Sequence, residues 1–162
     1  MIHEVQGDIL LTSAQAIAHG IAPNDDFKNG LALSLRELWP ELYKEFRHYS
    51  HAHHPKEGSL WVWETAEGKK IYSLFTQEHA KNHSSYPGKA ETGYVNHGLK
   101  ELRKEIDKHK ISSLALPKLA TGVGGLEWKE VLPLIQNHLG DLDIPVYIYT
   151  TYHKDQKAKE PS

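Results

Sequence analysis

At 162 residues, with 39% apolar and 25% charged side chains, the chain is long enough to close one domain around its own core without staples. It contains no cysteine, which excludes disulfides, thiol catalysis and cysteine-ligated zinc. Its 19 basic and 21 acidic residues leave a formal charge of −2 and no general electrostatic grip on nucleic acid.

The opening residues lack the charged and apolar regions of a secretory signal. No apolar run approaches the roughly 20 residues that span a bilayer, so no membrane partner and a cytoplasmic location are expected. Residues 2–5 read as a short first strand turned by Gly7-Asp8, and residues 16–21 as a buried strand of small apolar residues. A polar loop follows, ending in Asn29-Gly30. Leu31, Leu35, Leu38, Leu42 and Phe46 then recur every three or four residues, which predicts one amphipathic helix. Trp61-Val62-Trp63 and the run 71–76 read as a hairpin around Glu67-Gly68-Lys69. A polar loop over 77–88 precedes a helix marked by Val95, Leu99, Leu102 and Ile106. Residues 113–117 read as a buried strand, 128–139 as a helix and 145–149 as a last strand. Pro133 lacks the amide that a helix interior needs, so that helix is expected either to kink or to begin near Leu132.

Helices alternating with apolar strands favour an α/β fold, a three-layer α/β/α sandwich with a central mixed sheet. A single domain is expected over residues 1–152, followed by a frayed polar C-terminal tail over 153–162. In such sheets, ligands bind beyond the carboxyl ends of the strands.

Two strand-to-helix turns carry the chemistry. Thr121-Gly122-Val123-Gly124-Gly125 lets backbone amides curl into a concave nest for phosphate oxygens. It lacks the Gly-Lys-Ser/Thr ending of a Walker A loop and the third glycine of a dinucleotide fingerprint, and a ligand-free glycine turn is the plain alternative. The turn over residues 19–32 holds His19, Asp25, Asp26 and Lys28. The paired aspartates suit ordinary turn geometry, metal binding or acid–base work. His48, His51, His53 and His54 fit no standard zinc spacing and read as a surface group at a helix end, so neither a metal site nor a cofactor is expected.

Taken together, Gly7-Asp8-Ile9, Asn29-Gly30-Leu31-Ala32, and Leu116-Pro117-Lys118-Leu119 followed by Gly122, Gly125, Leu126 and Trp128 resemble macrodomains. The resemblance is to the branch holding the terminal ADP-ribose protein glycohydrolase and the antitoxin that removes ADP-ribose from DNA. It implies ADP-ribose, or an ADP-ribosylated macromolecule, as partner. Asp8 would accept from the adenine amine with Ile9 on the ring, and Tyr149 would flank the base. Asn29, Gly30, Leu31 and Ala32 would line the distal ribose and diphosphate. Thr121, Gly122, Val123, Gly124 and Gly125 would supply amides, and Thr76 and Gln77 would belong to the ADP-ribose site. The glycohydrolase branch carries a catalytic lysine where this chain has Gln77, and the protein glycohydrolase carries an aspartate where it has Gly124. Hydrolysis of an ADP-ribosyl linkage assisted by Asp25, Asp26, Lys28 or His19 is the leading expectation. A non-catalytic reader of ADP-ribose and a phosphatase for ADP-ribose-1''-phosphate are the alternatives.

Overall fold

The computed structural model describes residues 1–81 and 88–162, so residues 82–87 of the polar loop expected over 77–88 lie outside the described residues. Among the described residues, β1 (Ile2–Gly7), β2 (Ala16–Ile21), β3 (Leu60–Glu64), β4 (Lys70–Phe75), β5 (Leu114–Pro117) and β6 (Val146–Tyr152) form one sheet in the order β1-β6-β5-β2-β4-β3. All neighbours are parallel except the β3–β4 hairpin at one edge. Helices α1 (Gly30–Leu38), α2 (Pro40–His53), α3 (Thr92–His109) and α4 (Trp128–Leu139) lie in the connections.

Because side chains alternate across a strand, each buried strand feeds two cores. Ala16, Ala18, Tyr72, Leu74, Leu116 and Ile148 meet α3 and α4 through Leu99, Leu102, Val131 and Ile135. Ile17, Ile21, Ile71, Phe75 and Ala115 meet α1 and α2 through Leu35, Leu42 and Phe46. The result is the expected three-layer α/β/α sandwich on a mixed sheet.

Two local expectations are corrected. The single helix expected from Leu31 to Phe46 is two, because Pro40 has no amide to continue α1 and holds Trp39 extended at φ −129°, ψ 82°. Pro40 instead starts α2 at its first position, where a missing amide costs nothing. Leu38, at the end of α1, is left 47% exposed. Helix α4 spans the expected Trp128–Leu139; of the two alternatives left open at Pro133 the late start near Leu132 does not occur, because Glu127 and Glu130 close a reciprocal capping box at the helix start.

The segment after β6 does not fray. Gln156 accepts from the Asp8 amide at 2.7 Å, and the His153 amide donates to Gly7 at 3.1 Å. Ala158 is buried with Val5, Ile9 and Tyr149. Backbone pairing, not apolar content, holds these residues down, which is why their polar composition reads as a tail.

The five parallel strands point the same way, so the loops that follow them gather on one edge. Strands β2 and β5 pair only through Ala16–Leu114 and Ile17–Ala115. Beyond that point the loop from β2 leads to α1 on one face, and the loop from β5 leads to α4 on the other. Such a parting of neighbouring strands opens a crevice at the carboxyl edge.

Candidate functional site

Two cavities lie in that crevice. One, of about 480 Å³, is lined by His19, Gly20 and Ile21 from β2, by Asp25 and Asn29 through Ala32, by Gln77, and by Pro117 through Gly124. The other, of about 340 Å³, is lined by Gly7 through Leu10, Ser34 and the same Gly30, Leu31, Pro117, Tyr149 and Tyr152 that wall the first. Because they share walls they form one trough: a wide polar end, a waist between α1 and the loop 118–127, and a largely apolar slot.

The waist is built from backbone donors. On one side stands the first turn of α1, whose amides cannot be satisfied within the helix. On the other, the Thr121 amide donates to Lys118 and the Gly125 amide to Gly122, which rolls the loop into a nest. The amides of Gly122, Val123 and Gly124 meet no acceptor among the described residues. Lys118 lines the same wall, its ammonium 5.9 Å from the Trp128 ring centre. Facing donors with a cation beside them suit a diphosphate better than any neutral ligand.

Gly124 is fixed by space. A Cβ there would stand 2.7 Å from the Ala120 carbonyl oxygen and 2.8 Å from the Ala90 Cβ. Its carbonyl accepts from the Ala90 amide at 3.0 Å, tying the nest to the chain that leaves β4.

At the wide end, Asp25 lines the wall and its Oδ1 accepts from the Phe27 amide at 2.8 Å. Burial holds its carboxyl above the usual value, against the lowering effect of the Phe27 and Ala22 amides. His19 is buried, its Nε2 2.7 Å from the Ser73 hydroxyl, and desolvation lowers its pKa to about 4. It is a neutral ring at neutral pH. Gln77, 4% exposed, donates from Nε2 to the Gly88 carbonyl at 3.2 Å. Asp26 and Lys28 do not line the crevice; Asp26 Oδ1 caps its own turn by accepting from the Lys28 amide at 3.2 Å. Thr76 is fully buried behind Gly20, its hydroxyl without a hydrogen-bond partner among the described residues, and Gly125 also falls outside the walls.

In the slot, Asp8 Oδ1 accepts from the Leu10 amide and Oδ2 from the Asp155 amide, each at 3.0 Å. Ile9 and Leu10 supply apolar wall and Tyr149 the far side. Sequence reading missed Tyr152, 61% exposed at the junction of the two cavities, because β6 runs three residues past its expected end at Tyr149. It also missed Ser34, although the helical spacing from Gly30 places it one turn further along the same face.

The Macro domain family model matches residues 30–135, which include both sides of the waist. The chain belongs to the macrodomain family. This macrodomain is 30% identical over 168 residues to the DNA ADP-ribosyl transferase-DNA ADP-ribosyl glycohydrolase fusion protein of Thermosipho africanus, across 93% of this chain and 42% of that protein. The solved macrodomain of Thermus aquaticus DarG matches it with a TM-score of 0.81 at 27% identity, over 93% of this chain and 98% of that one. The structure of Thermosipho africanus DarTG in complex with ADP-ribose matches with a TM-score of 0.80 at 25% identity, over 96% of this chain and 42% of that one. The macrodomain spans about two fifths of the length of the curated relatives it matches. Among its described residues no group of three or more His, Asp or Glu side chains is placed to hold a metal, and the histidines at the end of α2 lie in an open groove with Trp61. No helix is long and apolar enough to cross a membrane.

Proposed function

We propose that this macrodomain binds ADP-ribose along the trough and hydrolyses the linkage that joins the distal ribose to a carrier. The observation that carries the reading is the waist: amides at Gly122, Val123 and Gly124 that meet no acceptor among the described residues line one cavity with the first turn of α1, and a smaller, more apolar slot adjoins it. The ligand in the complex of the related DarTG supports ADP-ribose. The names of the relatives favour DNA as the carrier. With a net charge of −2, recognition would rest on the ADP-ribosyl group, not on the DNA backbone. Such a target also agrees with the cytoplasmic location expected from the sequence.

In this reading the bond between the anomeric carbon and the carrier breaks, water supplies the new bond to that carbon, and the carrier leaves with the electron pair. Asp25 is the carboxylate on the chamber wall that can take the proton from water, and its raised pKa makes it a stronger base than an exposed aspartate. Gln77 can orient a hydroxyl or the water but cannot accept a proton or attack.

Release of free ADP-ribose from ADP-ribosylated DNA and from ADP-ribosylated protein tests this. The wild-type chain should turn over one of them, and Asp25→Asn should lower turnover by roughly a hundredfold or more while ADP-ribose affinity stays within about threefold. A second reading, a non-catalytic reader, is favoured by Gln77 at the position where the resembling branch has a lysine. Stoichiometric binding with no ADP-ribose released would establish it, and released inorganic phosphate would mark a phosphatase instead.

A further inference from the structure

Glu160 lines neither cavity of the trough, yet its carboxylate is the most heavily satisfied one beside it. Its Oε2 accepts from the hydroxyls of Thr12 and Tyr149, each at 2.5 Å, and its Oε1 from the Ser13 amide at 2.9 Å. Next to this cradle Lys69 donates to the Thr12 carbonyl at 2.7 Å; burial lowers the lysine pKa and the charge of Glu160 opposes that shift. Several donors converging on one carboxylate make an anchor, since charge-assisted hydrogen bonds are about twice as strong as neutral ones.

The anchor holds a strap. Residues 153–160 run back from β6 along the end of β1, with the Gln156 carbonyl on the Asp8 amide and the Asp155 amide on Asp8 Oδ2. The contact is close enough to demand glycine at position 7. A Cβ there would stand 2.7 Å from the Gln156 carbonyl oxygen and 2.9 Å from the Ala158 nitrogen.

These contacts fall on two walls of the slot. Asp8 has one oxygen held by its own turn and the other by the strap, so the orientation of its carboxylate depends on both. Tyr149 has its ring in the wall and its hydroxyl on Glu160. Among the described residues no backbone hydrogen bond joins the strap to residues 30–32 or to residues 121–124. Its hydrogen bonds reach the trough at Asp8 and Tyr149, both walls of the slot, Tyr149 also bordering the wide end.

We propose that Glu160 is a positioning residue for nucleobase recognition: by anchoring the strap it sets the Asp8 carboxylate and the Tyr149 ring against the base. The proposal rests on the ADP-ribose reading and adds to it the group that decides how well the adenine end is held.

The test uses the full chain with Glu160→Ala and Glu160→Gln, titrated with ADP-ribose, AMP and ribose 5-phosphate, the last by competition. Removing the anchor should weaken ADP-ribose and AMP by a common factor of roughly five to tenfold and leave ribose 5-phosphate unchanged. Glu160→Gln, which keeps a carbonyl acceptor for the hydroxyls, should recover part of that loss. If Glu160→Ala does not fold, Thr12→Val removes one donor of the cradle and should produce a smaller loss with the same ligand pattern. Equal weakening of all three ligands would make the strap a general brace, and no weakening of any would make it irrelevant; either overturns the proposal. A wild-type chain that fails to bind ADP-ribose at all would overturn the functional reading itself, and this proposal with it. Retained wild-type binding with unchanged variants would overturn the role of Glu160 alone.

Discussion

The nest loop of this chain accepts no side chain at position 124, whatever chemistry one would add. Gly124→Asp, which restores the carboxylate of the resembling protein glycohydrolase, must push a Cβ into the Ala120 carbonyl and the Ala90 methyl. Urea denaturation should show a loss of about 1–3 kcal/mol, as for overpacking a tight site, with no gain of turnover. His19 gives the second prediction. Its folded pKa of about 4 lies below the model-peptide value of 6.5, so in that window the unfolded chain binds more protons than the folded one. His19 therefore contributes stability that is present above pH 6.5 and is lost as pH falls towards 4. The difference in unfolding free energy between wild type and His19→Gln should change across that window with a slope of up to about 1.4 kcal/mol per pH unit and be flat above it. A slope of opposite sign would mean that the ring is protonated in the fold.

At the scale of elements, the candidate site depends on loops that hold one another. Asn24 bridges the loop after β2 to the chain after β4, donating to the Ala80 carbonyl at 3.1 Å and accepting from the Ala80 amide at 2.8 Å. Arg36 of α1 reaches back to the Asp26 carbonyl at 2.9 Å while its guanidinium lies 4.2 Å from the Tyr43 ring centre. Asn24→Ala removes both halves of the bridge. It should cost about 1–2 kcal/mol of stability and speed amide exchange at Ala80, while exchange in α3 is unchanged.

The buried strands were legible in the sequence because their apolar runs outweigh the polar residues within them, His19 in β2 and Ser73 in β4. The waist was legible through Gly30, Gly122 and Gly124. The break at Pro40 was hidden by a stripe that stays in phase across it, since Leu35, Leu42 and Phe46 are all fully buried. The strap left no signal, because it docks through backbone amides, one carboxylate and a single small apolar residue, Ala158. Only the structure separates Asp25, on the chamber wall, from Asp26 and Lys28, which stand off it. Two carboxylates adjacent in a turn look alike until the turn is built.

At the scale of the whole molecule, the sheet makes the site by parting. Five strands deliver their loops to one edge, and the early end of the β2–β5 pairing leaves a trough long enough for a diphosphate with a group at each end. That length requires base slot, waist and distal chamber to act on one ligand. Calorimetric titration of the wild-type chain with ADP-ribose, ADP and AMP measures it directly. ADP-ribose should bind one-to-one, ADP more weakly, and AMP, which lacks both the second phosphate and the distal ribose, with a loss of roughly tenfold or more. Equal affinity for all three would place the whole interaction in the base slot, and no binding of ADP-ribose would contradict the account outright.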